Sequence, residues 1–286
     1  MKVGHFLVFL LFTILSYHKG SAQEWDSLFN VGDYSTLIDQ SSQRFQADTT
    51  DITIEQVLAR AAFLGNRFSL AKKHALALEI KGIDTTRQRQ NLMKIYEAEQ
   101  NYPLAVKYGQ KLRNTFPLQS YYPRKLAEYH LASGYTGEAL HLFYQAYKTE
   151  PGDLANVYAF ADQLQRQGQN RLADSIVSVA LQLEAENLQL HSMAARIKMA
   201  LKDYKLAIHH FRVIESQSVL APWQYKNAGY AYFLIDSLQK ARIYLERSLQ
   251  NENSPELNFY YLALVHTSLG NTDEAKSYFN KAIEAG

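Results

Sequence analysis

Apolar and small residues recur along this chain with the spacing of a helix face. Seven short segments end in an alanine, and the positions four and seven residues after each alanine are mostly apolar or small. Spacings of four and seven place side chains on one face of an α-helix. The pattern therefore predicts seven helices that begin near these alanines and bury one face. The alanines follow one another at a constant interval: Ala71, Ala105, Ala139, Ala173, Ala207, Ala241 and Ala275.

A second pattern precedes each alanine by thirteen residues. A large apolar residue or an alanine stands there, and the next residue is small in every repeat but one. Two closely packed helices need small side chains where they cross, so each unit is predicted to be a first helix, a short turn and a second helix. One further interval before Ala71 reaches Leu37, in a segment of the same form. The paired positions are Leu58–Ala59, Leu92–Met93, Leu126–Ala127, Phe160–Ala161, Ala194–Ala195, Ala228–Gly229 and Leu262–Ala263.

Prolines and glycines agree with this register. A proline inside a helix costs about 3 kcal/mol, and every proline falls either between units or in the first turn of a predicted helix. Three glycines fall at the turn between the two helices of a unit, where a left-handed residue ends the first helix. The prolines between units are Pro117, Pro151, Pro222 and Pro255; those in first turns are Pro103 and Pro123; the turn glycines are Gly134, Gly168 and Gly270.

In this register the chain resembles the tetratricopeptide repeat family, whose unit of two helices has the same length, about 34 residues. The small column, the alanine column and the prolines between units carry the resemblance, which covers residues from about 24 to 286. It implies an all-α fold, a right-handed α-α superhelix (solenoid) of helix-turn-helix units that shelter one another's apolar faces. The implied organisation is an N-terminal partial repeat or cap at 23–51 and seven units at 52–85, 86–119, 120–153, 154–187, 188–221, 222–255 and 256–286.

The N-terminus has the form of a secretory signal peptide. Lys2 gives a basic start, residues 6–17 are almost wholly apolar, and Gly20 and Ala22 suit the small positions before a cleavage site. Residues 1–22 are therefore predicted to be removed before Gln23, with cleavage one residue later as the fallback. A retained membrane anchor is the alternative, although the apolar run is shorter than the roughly 20 residues that a span needs.

Composition limits the class of protein. The chain has 30 Lys and Arg against 28 Asp and Glu, and removal of residues 1–22 takes away two lysines and no acid, which leaves a formally neutral chain. A nucleic-acid surface needs a clustered basic excess, so no nucleic-acid partner is predicted. The absence of cysteine and of N-x-Ser/Thr acceptors favours a bacterial protein that is periplasmic or secreted.

No catalytic signature is present in the sequence. Hydrolase, metalloprotease, phosphate-loop and dinucleotide motifs are absent. His130 and His266 fall in a column that faces the paired helix and are predicted to be packed; adjacent His209 and His210 point about 100° apart on a helix and are poorly placed to share a metal. We therefore predict no enzyme activity, no cofactor, no metal and no small-molecule substrate. Three acids, Glu97, Glu128 and Asp162, come from successive units, and we expect them to lie about 10 Å apart.

The resemblance also implies where a partner binds. In tetratricopeptide arrays the first helices line a concave groove, and here the corresponding positions mix aromatic residues with charges of both signs, which suits an extended peptide or a helix. Lys226 is followed four residues later by Tyr230 and not by an asparagine, so the carboxylate clamp of some relatives is not reproduced. The competing interpretation is that the groove cations are ordinarily solvated or pair with Glu97, Glu128 and Asp162. The candidate partner-binding residues are Arg60, Lys94, Arg124, Tyr158, Arg196, Trp223, Lys226, Tyr230, Phe233 and Tyr260.

The function that follows is a non-catalytic protein–protein interaction scaffold or adaptor of the cell envelope. A membrane-tethered sensor or envelope-assembly subunit, with the N-terminal apolar segment retained, is the alternative. The last helix leaves two interpretations open: it is polar enough outside to end the array, or Tyr278 and its neighbours dock on another chain. The oligomeric state stays open.

Overall fold

Every regular element in the part of the chain that we describe is an α-helix. The computed structural model describes residues 24–250 and 255–286, and the predicted signal peptide lies outside them. The prediction of an all-α fold built from helical repeats is confirmed. The helices are α1 (24–31), α2 (Tyr34–Ala47), α3 (Ile52–Leu64), α4 (Phe68–Ile80), α5 (Thr86–Ala98), α6 (Tyr102–Thr115), α7 (Tyr121–Ala132), α8 (Thr136–Thr149), α9 (Leu154–Arg166), α10 (Asn170–Leu183), α11 (Leu188–Ala200), α12 (Tyr204–Gln217), α13 (Pro222–Leu234), α14 (Leu238–Ser248), α15 (Glu256–Ser268) and α16 (Thr272–Ala285).

The chain divides into two compact units. Residues up to Ala139 form the N-terminal unit, and Leu140–Gly286 form the C-terminal unit. Within each unit, first and second helices pair as antiparallel hairpins, as in α3 with α4 and in α13 with α14. The second helix of a hairpin also packs on the first helix of the next one, as α6 does on α7 and α12 on α13. Each hairpin therefore covers the apolar face that its neighbour leaves open.

The alanine column is the closest point of helix packing. All seven alanines are buried, and Leu37, one period earlier, has no exposed surface. In the neighbouring small column, a Cβ added to Gly229 would lie 2.7 Å from Leu245 Cγ and 3.1 Å from the Leu245 backbone nitrogen. A contact that short leaves no room for a methyl group, so the small residue at this position permits α13 and α14 to approach each other.

The turn between the helices of each repeat has a left-handed residue at the same place. Its φ lies between 55° and 85° at seven equally spaced positions, one in each repeat. Three of these residues are the glycines that the sequence predicts. The other four are not glycine, and residues with a side chain rarely adopt this backbone conformation. The seven positions are Asn66, Gln100, Gly134, Gly168, Lys202, Asp236 and Gly270.

Polar side chains cap the N-termini of several first helices. The Asp51 carboxylate accepts from the Ile54 backbone N–H at 3.0 Å, and the Asn187 side-chain oxygen accepts from Leu190 N–H at 3.1 Å. Such caps satisfy donors that a helix start leaves unpaired. Pro222 stands at the first position of α13, where a missing N–H costs nothing.

The core of the N-terminal unit combines aromatic stacking with one buried charge cluster. The Tyr96 and Tyr108 rings stack at 5.7 Å among leucines of α5 and α6. In α3, the buried Glu55 carboxylate accepts from Lys81 Nζ at 2.7 Å and lies 3.2 Å from His74 Nδ1. His74 lies in α4 and Lys81 ends it, so this cluster connects α4 to α3.

The core of the C-terminal unit is centred on α12 to α15. Phe211, Ile214 and Ala228 form one buried cluster, and Leu245, Leu262 and their neighbours form the next. Burying each of these large side chains contributes roughly 1.5–3 kcal/mol. None of the helices in residues 24–250 and 255–286 combines the length and the apolarity that a bilayer span requires.

Candidate functional site

Three predicted groove residues of α13 and α15 are aromatic, Trp223, Tyr230 and Tyr260, and Tyr261 lies beside them. Tyr230 and Tyr261 stack with ring centroids 4.4 Å apart and planes inclined by 17°. Tyr260, 44% exposed, contacts Tyr261 at 5.9 Å, and Trp223, 37% exposed, lies two turns before Tyr230 on α13. We call Trp223, Tyr230, Tyr260 and Tyr261 the aromatic face. Its rings present large flat areas with polar edges, the composition of interface hot spots.

The stacked pair has a structural as well as a surface role. Burial raises the pKa of the Tyr261 hydroxyl, with smaller contributions from Tyr230 and Tyr260. Tyr261 also packs against the core of α13 to α16. The stacked pair therefore holds α15 beside α13 and leaves the outer side of Tyr230 at the surface. Trp223 has no ring partner among the described residues.

Two other groove positions of α13 lie deeper than the sequence suggests. Phe233 is half-buried and packs against the core cluster around Tyr232 and Leu245. Lys226 is half-buried and has interactions of its own within the fold. Phe233 therefore contributes mainly to packing. Trp223 is the exposed residue of this stripe, and Tyr230 is half-buried.

Tyr158 and Arg196, predicted as groove residues, link helices within the C-terminal unit. The Tyr158 hydroxyl donates to Asn187 Oδ1 at 3.0 Å, and this asparagine caps α11; burial raises the pKa of Tyr158. Arg196 donates to Asp162 Oδ1 at 3.1 Å, and Arg166 donates to the other oxygen at 2.7 Å. Burial alone would raise the pKa of Asp162, but the hydrogen bonds from the two arginines outweigh it and lower that pKa. For Arg196, the competing interpretation of ordinary pairing describes the structure.

The acids of the N-terminal unit are closer together than the sequence led us to expect. Glu97 Oε1 and Glu128 Oε2 accept from the same ammonium, Lys125 Nζ, at 2.8 and 2.7 Å. The expectation that they lie about 10 Å apart is wrong, because it used the separation of helix axes. Long side chains from α5 and α7 bridge that separation, and Lys125 lies between them.

The cluster of Glu97, Lys125 and Glu128 stabilises the packing of α5 and α7. Glu97 Oε2 also accepts from the Tyr129 hydroxyl at 3.0 Å, so both of its oxygens are occupied. Burial alone would lower the pKa of Lys125, but the hydrogen bonds to Glu128 and Glu97 raise it. Arg124, a predicted groove residue, adds a weak pair with Glu128 at 4.0 Å. The charges therefore compensate one another and connect α5 to α7.

The N-terminal unit contains a cavity of about 490 Å³ between its first helices. Its floor is apolar and is formed by side chains of α1, α3 and α4. Its rim carries two arginines, Arg60 of α3 and Arg87 of α5, together with the amides of Gln56 and Asn91. The apolar floor residues are Phe29, Val57, Ala59, Ala71, Ala75 and Leu78. We call this space the cationic cavity.

Arg60 is held at the rim by an aromatic ring. Its guanidinium lies 4.0 Å from the centroid of Phe29 in α1. Burial lowers the pKa of Arg60, and the charge of Arg87 lowers it further, while Asp26 and Tyr34 act weakly in the opposite direction. Half-buried Arg60 and exposed Arg87 thus line the same cavity, close enough for their charges to repel. Lys94, the third predicted cation of this unit, is exposed two turns after Arg87 on α5.

Arg87 and Gln88 are site residues that sequence reasoning missed. Arg87 stands at the second position of its predicted unit, which is itself a groove position. Gln88 is buried in the cavity wall; its Nε2 donates to the Ala75 carbonyl, while its Oε1 has no hydrogen-bond partner among the described residues. The position of Arg87 in the repeat was the available signal, whereas nothing in the sequence singles out Gln88.

The histidines of the C-terminal unit form a pair between α11 and α12. His191 Nε2 donates to the Ala185 carbonyl at 2.8 Å, and its Nδ1 lies 2.9 Å from His210 Nδ1. Burial lowers the pKa of His210 to about 4, helped by the charges of His191 and His209. In residues 24–250 and 255–286 there is no group of three or more His, Asp or Glu side chains arranged to hold a metal.

The two histidines predicted to be packed have aromatic neighbours. His266 is buried, and its ring stacks on Tyr278 of α16 at 5.3 Å. His130 is half-buried, and its ring contacts Tyr135 at 6.0 Å. Tyr278 also lies 6.3 Å from Phe259, so its ring packs within the last hairpin and only part of it faces outward.

Comparisons with known proteins identify the fold. No protein-family model matches the sequence, and no curated protein matches it. Among solved structures, a tetratricopeptide repeat protein from Parabacteroides merdae is 10% identical, matches over 85% of this chain and 96% of its own, and has a TM-score of 0.54. MamA from Desulfovibrio magneticus RS-1 is 18% identical over 58% of this chain and 94% of its own, with a TM-score of 0.54.

A further MamA structure gives the same result, with 16% identity, coverage of 56% of this chain and 94% of its own, and a TM-score of 0.52. Identities this low establish a shared fold and nothing finer. Together with the constant register of helices and turns, they show that this chain has the tetratricopeptide repeat fold.

Proposed function

We propose that this chain is a non-catalytic scaffold that binds a protein partner through the groove positions of its first helices. Tetratricopeptide-type hairpins present side chains of successive first helices on one surface, and such surfaces suit an extended or helical segment of another protein. The fold alone does not determine function, so the proposal rests on the chemistry of the exposed residues.

The aromatic face is the observation that carries this proposal. Trp223 and Tyr260 are large and exposed, and Tyr260 lies against the stacked tyrosines of α13 and α15. Exposing aromatic rings to water has no benefit for folding, and a partner that covers them gains apolar burial together with polar contacts at the ring edges. We infer that this face contacts the partner.

A scaffold role also agrees with the state of the candidate acids. Glu97 and Asp162 accept hydrogen bonds from cations of the next first helix, and Glu128 accepts one from Lys125 of its own helix. Carboxylates engaged in this way stabilise the packing of first helices and lack the distinct environments of a general acid and base.

The experiment is capture of envelope proteins with the purified chain and with Trp223→Ala. Truncation of a hot-spot residue costs about 2 kcal/mol or more, so the variant should lose a specifically captured protein. Tyr144→Ala, at an exposed tyrosine on the second helix α8, is the matched control and should retain it. Equal capture by the parent and by Trp223→Ala would exclude the aromatic face as the contact.

We further propose that the chain is exported and acts in the periplasm or outside the cell. The basic start, apolar run and small residues of the N-terminal segment support this, and so does the absence of cysteine. Mass spectrometry of the protein from its native host tests it. An N-terminus at Gln23 agrees with export and cleavage, whereas a retained Met1 segment would favour the membrane-tethered alternative.

A further inference from the structure

The cationic cavity of the N-terminal unit has a chemistry different from that of the aromatic face. Its volume of about 490 Å³ lies in the range of pockets that enclose a ligand or a large side chain. The floor is apolar, from Val57 and Ala59 on α3 to Ala75 and Leu78 on α4, with Phe29 of α1. An apolar group of a ligand is therefore favoured inside.

Two cations at the rim have no carboxylate partner. Neither the half-buried Arg60 nor the exposed Arg87 forms an ion pair among the described residues, although most other half-buried cations of this unit do, as Lys125 and Lys111 show. Arg60 contacts only the Phe29 ring, and burial disfavours its charge. Two neighbouring guanidinium groups that repel each other in a partly desolvated opening favour an anion between them.

The rim also offers groups that match a peptide backbone. Gln56 of α3 and Asn91 of α5 have primary amides without a hydrogen-bond partner among the described residues. A primary amide donates and accepts at once, as a peptide group does. Lys94, exposed two turns beyond Arg87, continues the row of cations along α5. Several spaced carboxylates satisfy this row better than one terminal carboxylate does.

We propose that the cationic cavity binds an acidic segment of a protein partner, in which an apolar side chain fills the cavity and neighbouring Asp or Glu carboxylates pair with Arg60 and Arg87. This inference rests on the proposed scaffold function and specifies the partner's chemistry at one site. The apolar side chain supplies burial, the carboxylates supply charge complementarity, and the amides hold the backbone.

Fluorescence anisotropy with defined peptides tests the proposal. The probe is a fluorescein-labelled peptide, Ser-Glu-Glu-Leu-Glu-Ser, blocked at both ends so that it has no terminal carboxylate. Its comparisons replace every Glu with Gln, or Leu with Ser. The acidic apolar peptide should bind the purified protein, and each comparison should bind about tenfold more weakly or worse, because a charge-assisted bond or the buried side chain is lost.

Variants locate the binding site. Arg87→Gln removes an exposed cation and should weaken binding of the probe about tenfold. Lys73→Gln makes the same change of charge on the exposed side of α4, outside the cavity lining, and should leave affinity unchanged. Ala59→Leu fills the cavity and should remove the difference between the Leu and Ser peptides; its circular dichroism spectrum reports whether it remains folded.

Several results would overturn the proposal. They are equal binding of the Glu and Gln peptides, equal effects of Arg87→Gln and Lys73→Gln, and tighter binding of an uncharged peptide with a free C-terminus than of the blocked acidic probe. Failure here is separable from failure of the scaffold function, because Trp223 belongs to the other unit. Peptide binding should be the same in Trp223→Ala and in the parent, whatever the outcome of the capture experiment.

Discussion

The left-handed position between the two helices of each repeat gives a sharp test of the fold. Lys202 adopts φ 62° there, and the equivalent residue one repeat earlier is Gly168 with φ 73°. A side chain in this conformation costs about 1–2 kcal/mol, whereas glycine adopts it freely but loses roughly 0.5–1 kcal/mol more entropy on folding. Lys202→Gly should therefore raise the free energy of unfolding by about 0.5–1 kcal/mol.

The surroundings of both residues make the comparison clean. Lys202 is exposed and forms no ion pair among the described residues, so its removal breaks no contact. A Cβ added to Gly168 would have no atom within 4 Å, so Gly168→Ala introduces backbone strain and nothing else. That reverse change should lower the free energy of unfolding by about 1 kcal/mol.

Urea unfolding followed by circular dichroism at the helix band measures these effects. The midpoint should shift with an unchanged slope, since neither variant alters the surface exposed on unfolding. Arg212→Gly, which removes an exposed cation in the middle of α12, is the control for the substitution itself and should cost about 1 kcal/mol. If Lys202→Gly destabilised the protein as much as Arg212→Gly does, the left-handed turn at this position would be refuted.

Three further perturbations test the packing. Gly229→Ala should destabilise by about 1–3 kcal/mol, because the new methyl would overlap Leu245, and a rise in melting temperature would contradict this. The pKa of His210 in the folded protein, about 4, lies below its ordinary value of 6.5, so stability is lost as pH falls from about 6.5 towards 4. In His210→Gln the urea midpoint should change less over that pH range, and an equally steep dependence on pH would exclude this cause. Glu55→Ala removes the carboxylate beside the buried His74 ring, while the Lys81 ammonium keeps access to water, and it should cost about 1–3 kcal/mol by urea unfolding; an unchanged urea midpoint would show that the Glu55 contacts are unimportant.

The repeat register could be read from the sequence because it is fixed by packing. The alanine column lies where first and second helices touch, so only small side chains fit, and the same constraint returns once in every repeat. The turn was harder to read. Gly134, Gly168 and Gly270 indicate the turn, but Lys202 adopts the same backbone conformation without being glycine. The flanking helices impose that geometry, and the local residue only adjusts its energetic cost.

Side-chain partnerships were less predictable than the fold. Periodicity placed Glu97 and Glu128 on successive first helices, and helix spacing alone suggested that they stay apart. The reach of two glutamates and the position of Lys125 between them bring the charges together. Likewise, the register marks Phe233 as a groove residue, but its side chain is half-buried against the core cluster around Tyr232 and Leu245.

At the groove positions, contacts with other residues of the fold distinguish structural residues from candidates for partner binding. Repeats bury their core columns inside and between hairpins, so a groove side chain is retained either for a partner or for a bond to the next first helix. Tyr158 has such a bond to Asn187 and Arg196 has one to Asp162, which explains both without a partner. Trp223 and Arg87 have neither a ring partner nor an ion pair within the described residues. The two sites differ in chemistry, one aromatic and one cationic, and a partner that presents an acidic segment to Arg87 therefore need not be the protein that covers Trp223.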